Sequence, residues 1–423
     1  MADDSRAGAD PSVLSRMPVR RVVPILRMSL DGGRTALTLD VLGRVSGRSR
    51  RRICGALSRT APWIAGFPRA RDELLAGGTP ARIDRAATSP FGTEGFGTAR
   101  PGGVTLWSDR FGAHAVTGAL LRYHRDAGGT GGRLGFPAGD ASGTAQEFEG
   151  APDTGPVTVR TSARGTFAMP SPVVRHLGLY RDPYDILGGT LSEAEAVGPS
   201  PWGTTGVAQR FERGLVVAVP GRPALLVAGR LLRLHERLGG FGGGLGFPLT
   251  GALRTVTALP GGPLRGNWYQ VFEGDRETGW GSGLPGGGAM GVAPDGAGAA
   301  IPVSGPIWDA YCDAGGFDGR LGFPVAAARG LSSQDLEGGA GRSSRVAQVF
   351  QGGAVLWSEE HDARTVSRVV WERIVGDGGP DAVGWPVADQ RPSPDDDDPS
   401  AYQQEFEHGT ATVRDGIARI WRS

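Results

Sequence analysis

The sequence predicts an α+β protein built from tandem repeats, and three observations carry that prediction. The run Leu-Gly-Phe-Pro occurs at Leu134–Pro137, Leu245–Pro248 and Leu321–Pro324, with a near copy at Val383-Gly384-Trp385-Pro386. A Gly-Gly pair precedes each run, and a mark of the form Gln-x-Phe follows it. Self-similarity at nearly fixed spacing marks a repeat architecture rather than one irregular domain.

The first element of each unit is a predicted helix. Val116, Val227 and Val303 each stand eighteen residues before the Leu of the run, and Val366 stands seventeen before Val383. An aliphatic residue follows each Val by four (Leu120, Leu231, Ile307, Val370) and a large apolar residue by five (Leu121, Leu232, Trp308, Trp371). Positions 0, 4, 5 and sometimes 8 share one helical face, which predicts an amphipathic helix of about three turns starting at the Val. The glycine pairs Gly128-Gly129, Gly239-Gly240, Gly315-Gly316 and Gly378-Gly379 end these helices, because glycine takes the left-handed conformation without steric cost. The aromatic-proline run is a turn, and its ring (Phe136, Phe247, Phe323 or Trp385) plugs the core.

Strands come next. The Gln marks stand at Gln146, Gln209, Gln270, Gln348 and Gln404, each followed by Phe and then Glu or Gln, with a degenerate version at Glu94–Phe96. Glycine and a short apolar stretch then read as a β-hairpin. The Gln amide is expected to bridge backbone groups of a neighbouring unit while the Phe fills the core, a reading preferred over a sugar contact.

Six units are expected, starting near Val45, Val116, His176, Val227, Val303 and Val366. The first and third are degenerate, with weak corner copies at Ala65–Pro68 and around Val197-Gly198, so five units plus a cap is the alternative. Residues 45–423 form the repeat domain and 1–44 an N-terminal extension, in which Val22–Leu30 is the candidate closing strand or cap. A propeller-like ring of about five to six units is expected, because closure removes exposed strand edges. Gly-rich insertions, Gly279–Gly298 and Arg329–Arg345, read as surface loops.

Composition excludes several functions. With 45 basic and 44 acidic residues the chain is nearly neutral, so no nucleic-acid partner is expected. Every basic residue except histidine is arginine, which rules out a phosphate-loop lysine and a Schiff-base lysine. Cys54 and Cys312 belong to different units, and no disulfide is expected. The histidines show no metal-ligand spacing, no nucleophile elbow or dinucleotide fingerprint is present, and neither metal nor cofactor is expected. The run Asp395–Asp398 lacks the donor spacing of a calcium loop and reads as a solvated loop. The cluster Arg44, Arg48, Arg50, Arg51, Arg52 and Arg59 reads as a charged helix face, with contact to an anionic polymer or a membrane surface as the alternative. No apolar stretch is long enough to span a membrane, and no signal peptide is recognised.

These repeats resemble the LGFP repeat of actinobacterial cell-envelope proteins. The best local match is Phe111-Gly112-Ala113-His114-Ala115-Val116-Thr117-Gly118, followed by Gly128-Gly129 and Leu134–Pro137, and the resemblance covers residues 45–423. It implies a binding array rather than a catalyst, attached to cell-wall polysaccharide in the envelope or outside the cell. The acidic residue after the proline, usual in that family, stands at Asp140 and Asp389 and is missing after Pro248 and Pro324. Candidate ligand-binding residues are Asp140 and Asp389, for which a turn cap is the preferred reading, and Trp107, Trp357 and Trp421 as stacking platforms for a sugar ring, with edge packing in the core preferred for these. The predicted function is noncatalytic binding of a cell-wall glycan. The alternatives are a cytoplasmic enzyme or accessory protein using a central pocket, and a scaffold for a protein partner in a larger assembly.

Overall fold

The computed structural model describes residues 10–33, 35–76, 82–151, 155–179, 186–254, 268–274, 288–292, 300–330, 345–393, 398 and 400–423. Most of both insertions lie outside the described residues, as do Asp395 to Asp397 and Trp280, a weaker candidate for stacking on a sugar ring. The chain divides into two compact units, residues 1–194 with 209–212, and 195–208 with 213–423.

The first unit opens with five helices: α1 (Pro11–Leu14), α2 (Val19–Asp31), α3 (Thr35–Arg44), α4 (Gly47–Leu57) and α5 (Phe67–Ala76). The expected closing strand Val22–Leu30 is thus part of helix α2. Its buried residues, Val22, Leu26 and Ser29, recur at helical spacing, and that period overrides the β preference of Val and Ile. Among the described residues no strand precedes α4. The weak corner copy of the first unit opens α5, where Phe67 packs edge-on against Phe96 with ring centroids 5.2 Å apart.

Two sheets follow. The first has the order β1 (Asp84–Arg85), β2 (Gly95–Arg100), β3 (Gly103–Ser108), β4 (Gly112–Thr117), and leads into α6 (Gly118–Asp126). The second comprises β5 (Ala145–Ala151), β6 (Gly155–Ser162) and β7 (Gly165–Pro170), followed by α7 (Ser171–Leu177).

The second unit repeats this plan. The third sheet consists of β8 (Glu195–Val197), β9 (Gly206–Phe211), β10 (Gly214–Ala218) and β11 (Leu225–Ala228), with α8 (Gly229–Arg237) after it. The last residues of β9, from Gln209, count with the first unit. The fourth sheet has β12 (Leu253–Arg254), β13 (Trp268–Phe272), β14 (Gly288–Val292) and β15 (Ala300–Ser304), then α9 (Gly305–Asp313). The fifth has β16 (Arg329–Gly330), β17 (Arg345–Phe350), β18 (Gly353–Ser358) and β19 (Asp362–Ser367), then α10 (Arg368–Gly376). The sixth closes the chain with β20 (Arg391–Pro392), β21 (Tyr402–Phe406), β22 (Gly409–Arg414) and β23 (Ile417–Arg422).

The protein is therefore α+β, with small antiparallel sheets that recur, five of them each followed by a helix. The sheets are separate, and no strand pairing among the described residues closes them into a ring. Four of them have an outer strand only two residues long, which leaves little edge for another chain to pair with.

Two phases of the repeat differ from expectation. Val116, Val227, Val303 and Val366 are buried at 0% exposure near the ends of β4, β11, β15 and β19, and each helix begins two residues later. The third unit is anchored by Met169 rather than His176. Eighteen residues after Met169 comes Leu187-Gly188-Gly189-Thr190, which takes the corner position in place of Val197-Gly198; Thr190 bridges Phe211 as the corner prolines bridge theirs.

Helices α6, α8 and α9 are each followed by a glycine at φ near +95° (Gly128, Gly239, Gly315). Four residues on, a Cβ at Gly243 would lie 1.9 Å from the Leu238 carbonyl oxygen, so no larger residue fits there.

Candidate functional site

The five Gln marks have one geometry. Gln146, Gln209, Gln270, Gln348 and Gln404 are at most 2% exposed. Each donates through Nε2 to two backbone carbonyls, at distances between 2.8 and 3.1 Å. One acceptor lies on the last strand of the preceding sheet: Ala115, Ala168, Leu226, Pro302 or Thr365. The other lies two residues past the corner Pro or its Thr190 equivalent: Gly139, Ser192, Thr250, Ala326 or Ala388. One amide thus joins a sheet, the corner after it and the next sheet. Only a side chain with two N–H donors does this for two buried carbonyls.

The corner is held by three further contacts. Pro137, Pro248, Pro324 and Pro386 form β-bridges to Phe148, Phe272, Phe350 and Phe406. The residue after that Phe accepts the N–H of the corner aromatic: Phe247 N–H to Glu273 at 3.2 Å, Phe323 to Gln351 at 3.1 Å and Trp385 to Glu407 at 3.1 Å. Glycine at positive φ (Gly246, +64°) leaves room for this carboxylate, since a Cβ would stand 3.0 Å from it. Finally, the helix supplies a donor eight residues after the repeat Val. His124 bonds the Gly135 carbonyl at 2.9 Å, His235 the Gly246 carbonyl at 2.9 Å, and Tyr311 the Gly322 carbonyl at 2.7 Å. Each ring stacks on the Phe of the next Gln-x-Phe mark, with centroids 5.2, 5.5 and 4.8 Å apart.

Burial lowers the pKa of His124 and His235 from 6.5, because the imidazolium is poorly solvated there; the carbonyl bond opposes that shift without reversing it. The unfolded chain therefore binds more protons than the folded one below about pH 6.5, so stability rises with pH in that window. The contribution is complete above pH 6.5 and is lost as pH falls through the lowered folded value. His124→Tyr/His235→Tyr, which copies the Tyr311 arrangement, is expected to flatten the fall in melting temperature between pH 7.5 and 5. A pH slope equal to that of the wild type would refute the assignment.

The candidate ligand-binding residues divide. Trp107 is 1% exposed, packs in the core and donates its indole N–H to Glu73 at 2.9 Å, so it offers no ring face for stacking. Trp357 is partly buried against the core of the fifth sheet. Trp421, on the last strand, is 60% exposed, with its N–H on Thr412. Asp140 and Asp389 are exposed. Asp140 lies 2.9 Å from His114 and Asp389 lies 3.1 Å from Arg364. The two pairs are equivalent: each acid stands three residues after a corner Pro, and each base two before a repeat Val.

Asp389 and Arg364 line an open cleft of about 500 Å³ between α9 and β19. It gathers the carboxylates of Asp309, Asp313, Asp362 and Asp389 with the guanidiniums of Arg320 and Arg364. Such a mixture of acceptors and fixed donors suits a polyhydroxylated ligand. A second open cleft, of about 540 Å³, has Pro62 and Trp63 on one wall and Glu94, Asp109 and Arg110 at its rim. The Arg85 guanidinium lies over the Trp63 ring at 4.7 Å.

Sequence reasoning missed several of these residues. Offset eight marks His124, His235 and Tyr311 as one structural set, although their chemistries differ. Trp63 lies outside every repeat mark, and no local signal singles it out. Glu360, His361 and Glu407 place one potential metal-ligand atom each within 4.8 Å of one another. Both Glu407 oxygens are already engaged, one by Arg345 at 2.7 Å and the other by the Trp385 N–H, and the cluster reads as an ion-pair network.

No family model matches the chain, and no curated protein is similar to it. Among solved structures, one described as PorZ, an essential bacterial surface component of the type-IX secretion system of Porphyromonas gingivalis, is similar at 12% identity and a TM-score of 0.15. The match covers 82% of this chain and 36% of that one, so this chain spans about a third of its length. A score that low carries no argument about fold or function.

Proposed function

We propose that the repeat array binds a cell-envelope polysaccharide without catalysis, through several shallow polar sites. The observation that carries this reading is the equivalent placement of the His114–Asp140 and Arg364–Asp389 pairs, each joining an exposed acid just past a repeat corner to a base on the last strand of the preceding sheet. The cleft of carboxylates and guanidiniums around Asp389 supports it, as does the sequence resemblance to LGFP repeats. Repeated weak sites act by avidity, so affinity for a polymer far exceeds affinity for one oligosaccharide. The same proposal takes the sheets as blades of a propeller-like ring and places the protein at the envelope.

Cosedimentation with purified, insoluble cell-wall polysaccharide tests the reading. The wild type is expected to be retained. Asp140→Ala/Arg364→Ala/Asp389→Ala, which alters two exposed acids and one partly buried arginine, is expected to lose retention by on the order of tenfold or more. Absence of wild-type retention, or equal retention of both proteins, would reject the proposal.

A further inference from the structure

The arginines of α2, α3 and α4 line neither of the two clefts. Residues 10–76 hold 13 of the chain's 45 basic residues but only 5 of its 44 acids. The near-neutral total, which argued against a nucleic-acid partner, therefore averages over a strongly basic module and an acidic remainder.

The module has a defined shape. Only Val45 and Ser46 join α3 to α4. Arg50 fixes that joint from inside: it is 5% exposed and donates to the Leu42 and Val45 carbonyls, both at 2.8 Å. These are carbonyls that the end of α3 would otherwise leave unpaired. Ser46 caps α4 by accepting the Ser49 N–H at 3.3 Å. Val45, Ile53 and Leu57 are buried beneath, and α2 packs against both α3 and α4. Two helices joined by a tight turn and backed by a third form a helix-turn-helix arrangement.

The outer face of α4 carries Arg48, Arg51 and Arg52, all exposed and on adjacent turns. Arg44 and Arg59 flank it and are exposed as well. Among the described residues none of these five makes an ion pair, and α4 contains no acid. The neighbouring exposed or half-exposed residues, Ser46, Gly47, Ser49, Gly55 and Ala56, are small.

We propose that α4 docks in the major groove of duplex DNA, with its arginines on phosphates and base edges. A slim basic helix fits a groove about 12 Å wide. The deep, narrow major groove of duplex RNA does not admit it. Insertion into a bilayer surface is driven by large apolar residues beside the basic ones, and α4 exposes none.

The test is fluorescence anisotropy of the full chain with a labelled random-sequence DNA duplex, at salt from 50 to about 200 mM. The wild type is expected to bind, with affinity falling as log salt rises at a slope of about −3 or steeper. Arg48→Ala/Arg51→Ala/Arg52→Ala should weaken binding by on the order of tenfold or more and reduce the slope by about 3. The charge-matched Arg125→Ala/Arg233→Ala/Arg237→Ala should bind as the wild type does. The altered α4 side chains lie outside the core, so the melting temperature should stay unchanged. No wild-type binding, a shallower wild-type slope, equal weakening by both triple variants, or tighter binding to phosphatidylcholine–phosphatidylserine vesicles than to the duplex would overturn the proposal.

Discussion

Phe247→Ala is expected to destabilise the second unit by about 3–5 kcal/mol, read from urea unfolding. Phe247 is 0% exposed and packs among Val217, Val227, Leu245 and Phe272, with the Phe241 ring 4.6 Å away. The surrounding backbone is already close. A Cβ at Gly206 would lie 3.0 Å from the Phe247 ring, and one at Gly198 would lie 3.2 Å from it. These glycines have no side chains to move into the vacated space, so the cavity stays open, and an open cavity adds to the lost transfer energy. The loss is a large share of the total for a domain whose stability is about 5–15 kcal/mol. A loss below about 1 kcal/mol would show that the corner aromatic is not a core residue.

The second large effect is expected from Gln270→Leu. The substitution keeps the volume roughly constant but removes both donors, so the Leu226 and Thr250 carbonyls lose the amide they share. Leaving buried acceptors unpaired costs about 1–3 kcal/mol each, so a loss of about 2–6 kcal/mol is expected for the two. Gln270→Glu should be at least as harmful at pH 7, because a carboxylate facing two carbonyls repels both. Thermal melting of the two variants decides the point: a Glu variant as stable as the wild type would mean that the amide is not needed as a donor.

The repeat was legible in the sequence because its marks are the side chains with least freedom to vary. Gln270 needs two donors, Phe247 fills a tight pocket, and Gly246 holds a positive φ beside a carboxylate. The phase of the unit was harder to read. Val116 lies in β4 but sits at the same spacing as the helical residues that follow, so strand and helix share one apolar series. The third unit hid because Met169 and Leu187-Gly188-Gly189-Thr190 keep the backbone path with different side chains. Helix α2 was read as a strand because four of its residues are Val or Ile, types that favour sheets when taken singly.

The candidate site was less legible. Asp140 and Asp389 could be found by their place after the corner, but their partners His114 and Arg364 lie on a strand of the preceding sheet, 26 and 25 residues earlier. Local pattern does not reveal such a pairing. Trp107 shows the reverse: a strand position matched to Trp357 reads as one shared role, yet Trp107 is 1% exposed with its N–H on Glu73 of α5, while Trp357 is only partly buried. An average over 423 residues likewise hides where charge is concentrated, as in the arginines of α4.

The central claim is that each Gln amide ties one sheet to the next through the corner between them. Hydrogen–deuterium exchange of the wild type and Gln270→Leu under native conditions tests it most directly. The account predicts loss of protection in three places at once: β11 around Leu226, the corner around Thr250, and β13 around Gln270. Loss confined to β13, with β11 protected as in the wild type, would contradict it.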